Sequence, residues 1–283
     1  MRKYKESLMK YVFLLAACIS ILAVVLICYF LFVNGIPAIK EIGVTDFIFG
    51  KVWKPSLNKY GILPMILGSI YVTAGAIIVG VPIGILMAVF MAKYCPKKLY
   101  RFIKPAVDLL AGIPSIVYGF FGLVVMVPFI RENVGGQGYS MLTASLLLGI
   151  MILPTIIGVS EAAIRAVPDS YYEGALALGA THERSIFKTV LPAAKSGIFA
   201  AVVLGVGRAV GETMAVIMIA GNQPIMPKSI YEGVRTLTSN IVMEMGYATD
   251  LHREALIATG VVLFVFILII NISFSLIKRR GEK

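Results

Sequence analysis

Apolar residues gather in long runs along this chain, and the charged residues bunch between them. Uncharged runs of about 20 residues, the length at which a helix crosses the hydrocarbon core of a bilayer, occur six times, at 11–33, 62–91, 107–130, 141–164, 198–220 and 256–277. The pattern predicts an all-α integral membrane protein with six transmembrane helices over 11–277, flanked by polar termini at 1–10 and 278–283. The first run is too long for the apolar region of a cleavable signal peptide, and its flank Cys28-Tyr29-Phe30-Leu31 offers no small-residue cleavage site, so it is expected to stay as a helix. The second run exceeds what a bilayer needs and contains Pro64 and Pro82, which predicts tilt, a kink or projection beyond the membrane. Gly80 and Gly84 give it a small-residue face around Pro82. Pro114 and Pro154 are expected to kink the third and fourth spans.

Lys and Arg residues set the orientation. The segments 1–10, 92–106, 165–197 and 278–283 hold 17 of them, and 34–61, 131–140 and 221–255 hold 8. The remaining one of the 26 is Arg208, inside the fifth run. The positive-inside rule places the first set in the cytoplasm, and with it both termini.

The connection 165–197 is thereby cytoplasmic, and it is too long for a simple turn. Asp169 or Ser170 is suited to cap a short helix through Leu178, and Gly179 to end it in the left-handed conformation. A second short helix from Glu183 to Val190 would be stopped by Pro192. The product is a helical knob, with Tyr172, Ala175, Leu176 and Phe187 able to enter a groove on a partner.

Composition narrows the function. Hydrophobic residues at 59%, charged residues at 14% and a mean hydropathy of +0.90 leave a soluble enzyme too little polar surface. The net charge of +11 belongs to loops that orient the spans and meet membrane lipid; no basic stretch is interleaved with aromatics as nucleic-acid binding requires. Cys18, Cys28 and Cys95 are scattered packing residues, and His182 and His252 are isolated, so no metal site is expected. His182 is expected as a surface or docking residue of the loop, His252 in an outer loop, and Asp108 and Glu161 at hydrated span ends.

Arg208 stands near the middle of the fifth run, where a charge costs on the order of 2.5–3.5 kcal/mol by insertion scales. Glu212 is one helical turn further on the same face and can pair with it. Two readings are open on the residues alone. The pair fixes helix rotation, or the guanidinium fork meets a passing oxyanion while Glu212 holds the arginine between substrates or accepts a hydrogen bond from a protonated phosphate. Gly207 and Gly211 bracket the arginine at a spacing that favours close helix approach.

Two sets of residues carry a resemblance. Glu173-Gly174-Ala175, three residues, Gly179, nine residues and then Thr189-Val190-Leu191-Pro192 resembles the EAA loop of ATP-binding-cassette importer permeases, with Gly174 and Thr189 departing from the pattern. Gly207-Arg208-Ala209-Val210-Gly211-Glu212-Thr213-Met214-Ala215-Val216 is similar to the fifth-span signature of phosphate-specific permeases of the PstC type. Trp53-Lys54-Pro55, Tyr60 to Pro64, Leu110 to Gly122 and Ile150 to Thr155 agree with it.

The resemblance implies a type I importer permease in the cytoplasmic membrane that catalyses no reaction itself. Glu173, Gly174, Ala175, Gly179, Leu191 and Pro192 would dock a separate ATPase, and Arg208, Glu212 and Thr213 would line the substrate pathway. It further implies a heterodimer with a PstA-like subunit, two ATPase subunits and an extracytoplasmic phosphate-binding protein. No phosphate-binding Gly-x-x-x-x-Gly-Lys-Ser/Thr loop occurs in the chain, so no cofactor is expected in this subunit and ATP with its Mg falls to the partner ATPase. The competing expectations are a permease for sulfate or molybdate and an ion-driven secondary transporter.

Overall fold

The computed structural model describes the chain from residue 2 to residue 281, and the surroundings of side chains from 9 to 276. Among the described residues fourteen α-helices and one hairpin follow in the order α1 (Arg2–Ile42), α2 (Val44–Phe49), β1 (Trp53–Lys54), β2 (Lys59–Tyr60), α3 (Leu63–Val89), α4 (Lys97–Gly112), α5 (Ser115–Phe121), α6 (Val127–Asn133) and α7 (Met141–Arg165). Then come α8 (Asp169–Ala177), α9 (His182–Ser185), α10 (Leu191–Ala193), α11 (Lys195–Gly211), α12 (Met214–Ile219), α13 (Leu237–Glu244) and α14 (Asp250–Gly281). Three π-helical turns extend α3 (Phe90–Tyr94), join α5 to α6 (Gly122–Met126) and join α9 to α10 (Ile186–Val190).

Five stretches are long and apolar enough to cross a membrane: Met9–Ile42, Leu63–Tyr94, Ser115–Asn133, Met141–Arg165 and Asp250–Leu276. A sixth is reached when α11 is joined to His182–Ala193, from which it is bent by 69°. The first, second, fourth and sixth runs therefore sit on continuous helices. The third does not. Its predicted span 107–130 is divided, because α4 ends at Gly112 and both Ile113 (ψ 126°) and Pro114 (ψ 142°) are extended before α5 begins. Proline has no N–H and its ring keeps the preceding residue out of the helical region. Pro114 thus separates two helices where a kink was expected, whereas Pro82 and Pro154 lie inside continuous α3 and α7.

The central pair is α3 against α7, and it meets through the predicted small face. A Cβ added at Gly80 would lie 2.8 Å from the Gly149 carbonyl oxygen, and one at Gly84 would lie 2.8 Å from Ile156 Cγ2. With no side chain on α3 at these points the two backbones close up, and Leu147, Met151, Ile152 and Ile156 are removed from solvent along with Ala215 and Ile219 of α12. Helix α11 runs antiparallel along α7, with Gly197 facing Ala163 and Gly205 facing Ile156. Helix α1 packs on α14, where Gly35 meets Ala258 and Val261.

The ends of α3 mark the ends of the bundle. At the Leu63 end lie the hairpin, α13 and the start of α14, which share a buried cluster of Trp53, Tyr60, Ile62, Leu237 and Ala255. At the Tyr94 end lie the start of α4 and the loop that carries α8 to α10, tied in by Ile164, Ile186 and Val190.

Candidate functional site

The fifth run is interrupted at the site. Helix α11 ends at Gly211, Glu212 is extended (ψ 129°), and α12 restarts at Met214. The ion pair expected from a continuous helix is replaced by a different arrangement. The first turn of a helix leaves its N–H groups without intrahelical partners, and Glu212 Oε1 accepts two of them, from Thr213 at 3.1 Å and Ala215 at 3.3 Å. These bonds to a carboxylate are the stronger, charge-assisted kind, and they hold it over the first turn of α12.

Among the described residues Arg208 has no ion-pair or hydrogen-bond partner. Ion pairs among the described residues involve Lys93, Lys104, Arg165, Arg235 and His252, and Arg208 is not one of them. Its side chain is half-buried in the last turn of α11, within electrostatic reach of Tyr118. Tyr118 is itself occupied, because its hydroxyl donates to the Leu110 carbonyl at 2.9 Å and so closes the C-terminal end of α4. The side of α11 at Gly207 and Gly211 is open, with no atom within 4 Å of a Cβ at either position.

Thr213 completes the joint. Its hydroxyl donates to the Gly211 carbonyl at 3.2 Å, and the Glu212 carbonyl accepts from Thr238 Oγ1 of α13 at 3.2 Å. Arg208, Glu212 and Thr213 are therefore gathered in one non-helical joint between α11 and α12, though not as a salt-bridged pair.

At the other end of the bundle, α8 has no buried residue. Gly179 has a φ of +82°, and Ala180 N–H donates to the Ala175 carbonyl in the six-to-one bond of a Schellman ending, as its position predicted. Neither Asp169 nor Ser170 caps the helix; Pro168 precedes it with no side-chain bond. Glu173 and Gly174 are exposed, as are Tyr171, Leu176, Leu178 and Phe187. Tyr172 and Ala175 are half-buried, and Tyr172 turns inward on the Ile186–Val190 cluster. His182 is half-buried within the loop. Its Nδ1 pairs with the Tyr172 hydroxyl at 2.6 Å and its ring stands edge-on to Tyr94. Pro192 does not stop the second helix, which passes through a π turn into α10; the wider turn leaves a carbonyl unpaired, and a residue without an N–H fits after it.

The family described as "Binding-protein-dependent transport system inner membrane component" matches residues 80–283. The chain belongs to that family. Among its relatives, a probable ABC transporter permease protein YqgH of Bacillus subtilis is 41% identical over 90% of this chain and 86% of its own. Phosphate transport system permease protein PstC of Mesorhizobium japonicum is 35% identical over 85% of this chain and 80% of its own. A probable PstC of Methanocaldococcus jannaschii is 33% identical over 96% and 92%. Among solved structures, the fold is shared with a bacterial alginate ABC transporter (TM-score 0.68, 17% identity, 99% of this chain and 96% of that one). It is also shared with the MetNI methionine ABC transporter in inward-facing form (TM-score 0.65, 23% identity, 81% and 99%). The protein is thus a multi-pass membrane component with the fold of an ABC importer permease. Such components transport and leave ATP hydrolysis to a separate subunit, which removes the ion-driven alternative.

Two clusters in this permease were not read from the sequence. Glu161, expected at a hydrated span end, is 3% exposed. Its carboxylate accepts from Arg165 Nε at 2.8 Å, lies 3.4 Å from Lys104 Nζ and is within hydrogen-bonding reach of the Tyr100 hydroxyl. That approach to Glu161, and then burial, raises the Tyr100 phenol above its ordinary value. Arg165 Nη2 also donates to the Met91 carbonyl at 2.8 Å. The π turn gives the Cys95 N–H to Phe90, and Pro96 has no N–H to offer, so the arginine supplies the donor that this carbonyl lacks. The i,i+4 spacing of Glu161 and Arg165 was the available signal.

The second cluster centres on Glu244 at the Leu63 end. It accepts from Trp53 Nε1 at 2.8 Å and from Arg235 Nη1, and pairs with His252 Nε2 at 2.9 Å. His252, expected alone in an outer loop, is thereby part of the packed structure. Trp53 and Glu244 are 191 positions apart, and no local pattern announces their contact.

Proposed function

We propose that the chain is the transmembrane permease subunit of an ATP-driven phosphate importer, and that it forms half of the translocation pathway. The observation that carries this reading is Arg208: a cation inside a membrane helix, with no counter-ion among the described residues, at the break between α11 and α12. A permanently satisfied structural pair would have spent the arginine on Glu212. Left free, its planar fork is suited to the oxygens of a passing phosphate. Glu212 keeps one oxygen on the α12 amides and has the other to accept a hydrogen bond from a protonated phosphate, which sulfate does not offer. Several relatives named as PstC permeases support phosphate over other oxyanions.

In this reading both termini and the α8 loop face the cytoplasm, as the Lys and Arg distribution requires. Glu173, Gly174, Ala175 and Gly179 of the knob, with Leu191 and Pro192 behind it, dock one of two ATPase subunits that hold ATP and Mg. A PstA-like permease covers the open Gly207 and Gly211 side and supplies the other half of the pathway, and a phosphate-binding protein delivers substrate from outside. The complex reconstituted in proteoliposomes should take up phosphate on ATP addition, with excess sulfate or molybdate without effect. Uptake of either competitor with phosphate ignored would overturn the reading.

A further inference from the structure

The hairpin at the Leu63 end is fixed on one side and bare on the other. Trp53 and Tyr60 face inward at 4% exposure each, edge-on to one another. The outward residues Lys51, Val52, Lys54, Leu57 and Lys59 are all exposed; Glu41 and Asp46 line one hollow with Lys51 and Lys59, Lys54 stands outside it, and the lysines outnumber the carboxylates three to two. The exposed side of the hairpin thus carries three lysines and two apolar residues, Val52 at its base and Leu57 at its tip, a mixture that suits a protein contact and not a lipid-facing span.

What holds the hairpin also reaches the transport joint. Glu244, which takes the Trp53 indole N–H, is the last residue of α13. At the first turn of α13, Thr238 donates to the Glu212 carbonyl. Six residues of helix, about 9 Å at 1.5 Å per residue, separate the two bonds. The helix has little freedom between them. The Leu237 N–H donates to Ser69 Oγ of α3 at 3.0 Å, Arg235 crosses α3 so closely that a Cβ at Gly68 would sit 2.4 Å from its carbonyl oxygen, and Ser239 and Asn240 are fully buried.

We propose that the hairpin Trp53–Tyr60 is the docking element for an acidic face of the extracytoplasmic binding protein, and that α13 transmits its position to the joint at Glu212. This rests on the importer reading above, which places the Leu63 end outside. The lysines supply attraction, Leu57 and Val52 the dry contact, and Trp53 with Glu244 make the hairpin a lever on α13 and not a free loop. Trp53 and Glu244 are positioning residues, since they touch no substrate.

The experiment uses the whole complex in nanodiscs of zwitterionic lipid, with the purified phosphate-binding protein of the same organism loaded with phosphate. Both the docking Kd and the ATPase rate at saturating binding protein are measured. The triple variant Lys51→Glu, Lys54→Glu, Lys59→Glu should still copurify with its ATPase but raise the Kd about tenfold or more, with a weaker salt dependence. Trp53→Phe removes the indole donor with little change in shape; it should hold the Kd within about twofold while the saturated rate falls several-fold. A Kd unmoved by the triple variant overturns the docking surface, and this includes the case in which the lysines serve only lipid headgroups. A full saturated rate in Trp53→Phe overturns the transmission. Failure of the wild-type complex to move phosphate would instead strike the importer reading, because docking is measured independently of transport.

Discussion

Glu212 accepts the amide proton of Ala215, three residues ahead of it, at 3.3 Å. The carboxylate that the sequence offers to Arg208 is thus committed to the start of the next helix, and in the proposed importer the guanidinium is left for the substrate.

Arg208→Gln should therefore abolish phosphate uptake in proteoliposomes, by about 100-fold or more, while the complex still assembles. A charge-swapped variant with Glu at 208 and Arg at 212 should not recover transport, because there is no pair to restore and α12 loses its acceptor. Recovery in the swap would show that the two side chains act together.

Glu212→Gln keeps an oxygen able to accept from Thr213 and Ala215, whereas Glu212→Ala removes it. The alanine variant should lose about 0.5–2 kcal/mol, the range measured for helix caps, and the glutamine variant less. Thermal unfolding of the purified subunit in detergent separates them.

Two glycines on α11 should behave in opposite ways. A Cβ at Gly197 would lie 2.4 Å from the Cβ of Ala163, so Gly197→Ala forces α7 and α11 apart at about 1–3 kcal/mol. Gly207 has nothing within 4 Å, and Gly207→Ala should leave stability unchanged or slightly higher through better helix propensity. Its effect should appear only in the assembled importer, as altered pairing with the second permease or altered uptake.

Glu161→Ala strands Lys104, Arg165 and the Tyr100 hydroxyl around a buried site. Removing one member of a fully buried pair costs about 3–5 kcal/mol. Arg165 and Lys104 keep side-chain exposures of 45% and 32%, so water compensates in part and a loss of about 1–3 kcal/mol is expected in chemical unfolding.

At the knob, Gly179 holds a φ of +82°. Gly179→Asn, which tolerates that region, should keep most ATPase copurification; Gly179→Val should lose it, as should Glu173→Lys through reversal of an exposed charge. Equal binding by all three variants would move the ATPase contact away from this loop.

The spans that were legible from the sequence are those whose helices run unbroken. Runs 62–91 and 141–164 became α3 and α7 almost to the residue, because hydrophobic length alone decides them. The fifth run misled because its apolar character continues across a break. The signal was present, however: Gly211 ends a helix, and the polar Glu212-Thr213 stands just before the apolar Met214 run as a helix start would. Gly179 was readable since a single residue sets a left-handed turn. Glu244 was not, because Trp53 lies 191 positions away, and Arg235 and His252, though only nine and eight residues off, flank α13 outside any helical spacing that would pair them with it.

The π turn at Phe90–Tyr94 sets helical phase. One added residue in a turn rotates every side chain beyond it by about 100° relative to an uninterrupted α-helix. Lys93 and Tyr94 are the residues so rotated, and they are the ones that meet Asp169 and His182 of the knob. Deleting Ala92 would restore a regular α-helix and turn both side chains elsewhere, unhooking the knob from α3 without altering a single residue of the knob itself.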